Sequence, residues 1–190
     1  MMFLEHKYTI EDLVKRCKAN ERKAQELLYK HFASKMLGVC LRYATDRMEA
    51  EDMLQNGFIR VFQKINDYRS EGSFEGWVRR IMVHTSIEYY RKHHKMLLVA
   101  DLEETGKEPS VNAVALARLD EKDLIGLIQQ LSPGYRMVFN LYAIEGYSHR
   151  EIGVIMGISE GASKSQLSRA RAILKEQIAQ SEGKRYEHAG

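Results

Sequence analysis

From Gly161 to Lys175 the chain carries four basic side chains, Lys164, Arg169, Arg171 and Lys175, and no acid. Ser163, Ser165, Gln166 and Ser168 stand between them. The chemistry these side chains offer is binding. Arginine and lysine present donors to phosphate and guanine, glutamine matches adenine, and short side chains let a helix backbone come near base edges. An acid-free run avoids repulsion from phosphates. Upstream, Ser148-His149-Arg150-Glu151 reads as a capping box, Gly157 as a left-handed stop, and Ser159 as the next cap. Two helices joined by a short turn containing glycine make a helix-turn-helix layout, whose second helix enters the major groove. Ile152, Met156, Ile158 and Leu167 supply its apolar contacts, and Gly153 lets the helices approach. The simpler alternative is a helical hairpin with a solvated basic face.

The rest of the 190-residue chain must position that pair. It is 44% hydrophobic and 29% charged, with a net charge of +3. Prolines are confined to Pro109 and Pro133, and apolar residues recur at spacings of three and four, which predicts an all-α protein. Thr9 with Asp12 marks a helix start, and Asn20 is expected to cap a second helix. A third buries Met53, Leu54, Phe58, Val61, Phe62 and Ile65 and turns Glu51, Asp52, Gln55, Asn56, Arg60 and Gln63 outward. Residues 66–73 read as a loop, and helical spacing resumes from Phe74 to about Lys95, with Trp77 expected in the core. Residues 96–112 lose periodicity and gather Asp101, Glu103, Glu104 and Glu108, as expected of a flexible acidic linker. Ser132-Pro133 is a helix start, and the helix it opens is expected to end near Ile144. The expected organisation is two helical domains, 1–95 and 113–180, the linker between them, and a loose tail at 181–190. Cys17 and Cys40 make no metal pattern and are expected to be reduced. His84, His93 and His94 lack ligand spacing, so no metal or other cofactor is expected. No signal peptide or membrane span is read, which predicts a cytoplasmic protein.

The segment GYSHREIGVIMGISEGASKSQLSRARAIL resembles the C-terminal promoter-binding domain of bacterial sigma factors of the extracytoplasmic-function (ECF) group, whose pattern is close to Y-S-x-x-E-I-A-x-x-L-G-I-S-E-G-T-V-K-S-R-L-x-R-A-R. It departs at Ala162, Ser163 and Gln166, where Thr, Val and Arg are usual. AEDMLQNGFIRVFQKI and FEGWVRRIMVHTSIEYYRK resemble two N-terminal segments of the same family, in the same order.

The resemblance implies a non-enzymatic initiation factor with no catalytic residue. Its partners would be RNA polymerase core and promoter DNA, duplex and melted. Glu51, Asp52, Gln55 and Asn56 would bind a coiled coil on the largest core subunit. Tyr68, Arg69, Ser70, Phe74, Arg79, Arg80, His84 and Arg91 would hold the melted −10 element, with His84 where Asn is frequent. Lys164, Ser165, Gln166, Ser168, Arg169 and Arg171 would read the −35 element. The linker acids would either occupy a channel built for RNA or serve as a solubilising tether. An anti-sigma protein often holds members of this group. The competing readings are a stand-alone helix-turn-helix regulator, a helical nucleic-acid enzyme and a protein-only adaptor. The enzyme would need a carboxylate cluster, metal pattern or phosphate loop that the sequence lacks.

Overall fold

Thr9 and Asp12 start the first helix by exchanging hydrogen bonds. The Asp12 N–H donates to the Thr9 hydroxyl and the Thr9 N–H to the Asp12 carboxylate, each at 3.1 Å. This box opens α1 (Ile10–Lys18), which buries Leu13, Val14 and Cys17. Asn20 does not cap the next helix. It takes a φ of +57°, and its N–H donates to the Cys17 carbonyl, so its short polar side chain serves a left-handed exit from α1. The chain continues into α2 (Arg22–Leu41), α3 (Arg47–Gln63), a 3-10 turn at Ile65–Asp67, and α4 (Phe74–His93). Leu28, Phe32, Met36, Met53, Phe58, Val61, Val78 and Met82 fill the core between them. Burying each large side chain contributes about 1.5–3 kcal/mol. A Cβ on Gly57 would lie 2.2 Å from the Met82 sulfur, so α3 and α4 meet where a side chain is missing.

The structure, a computed structural model, describes residues 8–93 and 121–187, and every regular element among them is helical. The expected linker at 96–112 lies outside the described residues. The chain divides into two compact units, one of Met1–Cys40 with Arg47–Ser86, the other of Leu41–Asp46 with Ile87–Gly190. Both cysteines are free and buried. Burial pushes the Cys17 thiol up to about 11 and the Cys40 thiol up to about 12, so neither is a thiolate at neutral pH.

In the second unit, α5 (Glu121–Gln129) leads through Ser132 to α6 (Pro133–Phe139). The Ser132 side chain makes no capping hydrogen bond; Pro133 at the first helical position starts the helix without it. Arg136 is buried, and its Nη2 donates to the carbonyls of Gln129 (2.9 Å) and Leu131 (2.8 Å). A cation thus satisfies orphan carbonyls at the end of α5, where the helix dipole is negative. A π-turn at Asn140–Ile144 extends α6 to the expected end, and Gly146 follows at φ +76°.

Ser148 and Glu151 form the expected box at the start of α7 (His149–Met156). Gly157 closes it at φ +71°, its N–H donating to the Gly153 carbonyl at 2.8 Å; the Ile158 N–H reaches the same oxygen at 3.1 Å. The Ser159 hydroxyl then accepts the Ala162 N–H at 3.0 Å and opens α8 (Glu160–Glu187). A Cβ on residue 153 would stand 2.9 Å from the Ile158 carbonyl oxygen, which is backbone and cannot swing aside.

Gly153→Val should therefore destabilise this unit by about 1–3 kcal/mol in urea unfolding, as overpacking does. The hydrogen bonds of Ser148 hold the Glu151 carboxyl below its usual value. The native state then binds fewer protons than the unfolded chain, so the stabilisation is present above the ordinary carboxylate pKa and fades as pH falls through the lowered one. A Glu151→Gln chain should show a smaller loss of unfolding midpoint across that acid range.

Candidate nucleic-acid interface

Leu167, Ala170, Leu174 and Ile178 recur at helical spacing on α8 and are buried. This stripe docks α8 against α6 and α7 and settles which side chains remain outside. Lys164 is exposed; Ser165, Arg169 and Arg171 are half-buried. Lys164 pairs with Glu160 one turn upstream at 2.7 Å and holds that carboxyl below its usual value. The pair is exposed, so it contributes little to stability. Arg169 Nη1 donates to the Tyr135 hydroxyl at 3.3 Å, and the Arg171 guanidinium lies 5.6 Å from the centre of the Tyr142 ring.

Gln166 and Ser168 are not brought to the exposed face, both being about nine-tenths buried. The Gln166 side chain lies against α6, where a Cβ on Gly134 would be 3.4 Å from its Oε1. Ser163, where an apolar residue is usual, is fully buried, and its hydroxyl oxygen lies 2.9 Å from Nδ1 of His149. The helix keeps its seat because an imidazole satisfies the hydroxyl.

The loop before α4 has a fixed shape. Ser70 and Gly72 take φ of +62° and +97°, and the Tyr68 hydroxyl donates to the Gly72 carbonyl at 2.7 Å. Lys18 Nζ donates to the Tyr68 carbonyl at 2.8 Å. Tyr68 packs edge-on against Phe74 (5.1 Å), and Phe74 stacks on Trp77 (5.6 Å). Phe74 is buried, whereas Trp77, expected in the core, is half-buried beside Tyr68. Tyr68, Ser70 and Phe74 line an open groove of about 560 Å³, whose other wall is α1 and α2 with Lys15, Lys18 and His31. Arg69 is exposed on the loop, Arg80 and His84 are exposed one turn apart on α4, Arg79 is half-buried, and Arg91 is exposed near the end of α4.

On α3, Asp52, Gln55 and Asn56 are exposed as expected. Glu51 is half-buried and pairs with Arg47 at 2.7 Å. Asn56 donates its amide to the Asp52 carbonyl at 2.9 Å, which turns it along the helix. Met48 and Ile59 are 74% and 54% exposed, a large apolar surface on a helix whose other face is core. Met48, Asp52, Gln55 and Ile59 follow spacings of four, three and four and share one outward stripe of the helix.

Two family models match the chain. The family model described as Sigma-70 region 2 matches residues 28–96, and that described as Sigma-70, region 4 matches residues 121–174. The chain belongs to the sigma-70 family. Curated relatives named as ECF RNA polymerase sigma factors place it in that group. The ECF RNA polymerase sigma factor SigE of Mycolicibacterium smegmatis is 29% identical over 81% of the chain, which spans 61% of that relative's length. The ECF RNA polymerase sigma-E factor of Haemophilus influenzae is 27% identical over 90% of the chain and 95% of its own length. The RNA polymerase sigma-H factor of Pseudomonas aeruginosa is 25% identical over 86% and 91%. A solved sigma factor, RpoE of Bartonella quintana bound to the anti-sigma factor NepR, aligns at TM-score 0.46 and 20% identity, covering 81% of this chain and 96% of its own.

In this ECF sigma factor the sequence reading missed the partners of its own site residues. Tyr135, Tyr142 and His149 touch α8 from earlier elements, and no local spacing announces a contact across three elements. Met48 and Ile59 were legible in principle, since they share the stripe of Asp52 and Gln55. Among the described residues, no group of His, Cys, Asp or Glu is placed to hold a metal, and no helix is long and apolar enough to cross a membrane.

Tyr68→Phe removes the hydroxyl that ties the loop to Gly72. Amide exchange at residues 70–73 should rise several-fold, with the thermal midpoint unchanged.

Proposed function

We propose that the chain binds bacterial core RNA polymerase through the outer face of α3 and directs it to promoters with two DNA-binding surfaces. The loop 68–73 and the start of α4 hold the melted −10 element. The outer face of α8 reads the −35 element. The observation that carries the proposal is the ordered pair of sigma-70 matches on residues 28–96 and 121–174. One alone would suit a stand-alone regulator; a region 2 match beside a helix-turn-helix does not.

On α3, Asp52 supplies negative charge to a basic partner helix, Gln55 supplies hydrogen bonds, and Met48 and Ile59 supply the apolar anchors that convert contact area into affinity. An extruded base loses its stacking energy, and the groove beside Tyr68 and Ser70 offers aromatic edges and hydroxyls in exchange. Lys164, Ser165, Arg169 and Arg171 contact the duplex; Gln166 and Ser168 shape α8 from within. The chain works in the cytoplasm with the polymerase, and an anti-sigma protein covering these surfaces would silence it.

The chain should co-elute with bacterial core polymerase, and Asp52→Arg should abolish co-elution without changing the thermal midpoint. Co-elution of both would leave the function standing and remove Asp52 from the interface. Failure of the well-folded parent would return the stand-alone regulator. Arg169→Ala should weaken promoter binding by about 1–3 kcal/mol and relax one base position. Uniform weakening across promoter sequences would remove Arg169 from base readout.

A further inference from the structure

We propose that Tyr142 is a positioning residue for Arg171, and that the two act as one phosphate-contacting unit on α8. The inference rests on the reading of α8 as a DNA-facing helix. Arg171 lies over the Tyr142 ring at 5.6 Å. The same ring stacks on His149, with centroids 4.4 Å apart and planes 20° from parallel. His149 Nδ1 meets the buried hydroxyl of Ser163 at 2.9 Å. A chain of contacts thus leaves α8 at Ser163, passes through two rings of earlier elements, and returns to α8 at Arg171.

Physical chemistry gives this arrangement a purpose. A long arginine side chain loses rotamer freedom when it settles on a phosphate, and resting on an aromatic face removes part of that freedom beforehand. A cation held over a ring face is attracted by the ring's electron density and spends no N–H donor on it, so its donors remain available to an oxyanion. Arg169 differs, because its hydrogen bond to the Tyr135 hydroxyl uses a donor. Tyr142 is at the edge of exposure at 36%, so changing it opens no core cavity.

The test is the salt dependence of binding by the full chain to a short random-sequence DNA duplex, with circular dichroism confirming the fold of each variant. The slope of log affinity against log salt counts phosphate contacts, and Arg171→Ala should reduce its magnitude by about 0.9. Tyr142→Leu removes no charge, so it should keep the parental slope yet lower the affinity several-fold at each salt concentration. Tyr142→Phe should keep the parental affinity, and in the Arg171→Ala background Tyr142→Leu should lower the affinity no further. A purely structural tyrosine would lower it equally with and without Arg171. Parental affinity in Tyr142→Leu, or an equal loss in the Arg171→Ala background, would overturn the positioning role and leave the reading of α8 intact. A parental slope in Arg171→Ala, or no salt-dependent binding by the parent, would overturn the assignment of Arg171 to phosphate and the inference with it.

Discussion

A single carbonyl oxygen organises the C-terminal unit. The Gly153 carbonyl accepts N–H groups from both Gly157 and Ile158, which turns the chain within one helical pitch and brings the start of α8 back onto α7. The absence of a side chain at 153 makes room for that turn, because its Cβ would meet the Ile158 carbonyl. Once the crossing is set, the stripe Leu167, Ala170, Leu174 and Ile178 can only face inward, and the basic side chains fall outside by default. The placement of basic side chains on α8 is therefore a consequence of backbone geometry in α7. A helix of the same composition without that turn would have no fixed outer face.

Local signals were legible where their physics is local. The boxes at Thr9–Asp12 and Ser148–Glu151 and the left-handed Gly157 involve residues within one turn of each other, and each stands where the sequence put it. Asn20 and Ser132 show the limit of the same logic. Both residue types favour caps, yet Asn20 is drawn into a left-handed exit, and Ser132 precedes a proline that starts the helix without it. Side-chain direction was less legible, because it depends on the neighbour across the core. Gln166 was read outward by its polarity, but its position beside Leu167 turns it toward Gly134. Ser163 looked like a mismatch until His149 supplied the partner from another helix.

The two units solve opposite problems. The outer face of α3 leaves Met48 and Ile59 in water, an arrangement that favours burial against a partner and is poorly suited to a lone helix. The outer face of α8 is polar and basic, suited to a ligand that is itself hydrated and charged. An apolar face favours contacts that exclude water and a basic face contacts that displace counterions, so salt acts on two such surfaces in different degree.

The π-turn at Asn140–Ile144 has a consequence for how such chains diverge. A π-turn holds one more residue than an α-turn without breaking the helix, and one spans Asn140–Ile144. Tyr142 sits inside it. Removing one residue from this segment would restore a regular helix and rotate the side chains that follow by roughly 100° about its axis, the angle of one helical step. A homologue one residue shorter here would present a different side chain to His149 and Arg171, even with α7 and α8 identical. Alignment gaps at this turn would then mark changes in the surface beside Arg171 that substitutions within α8 do not record.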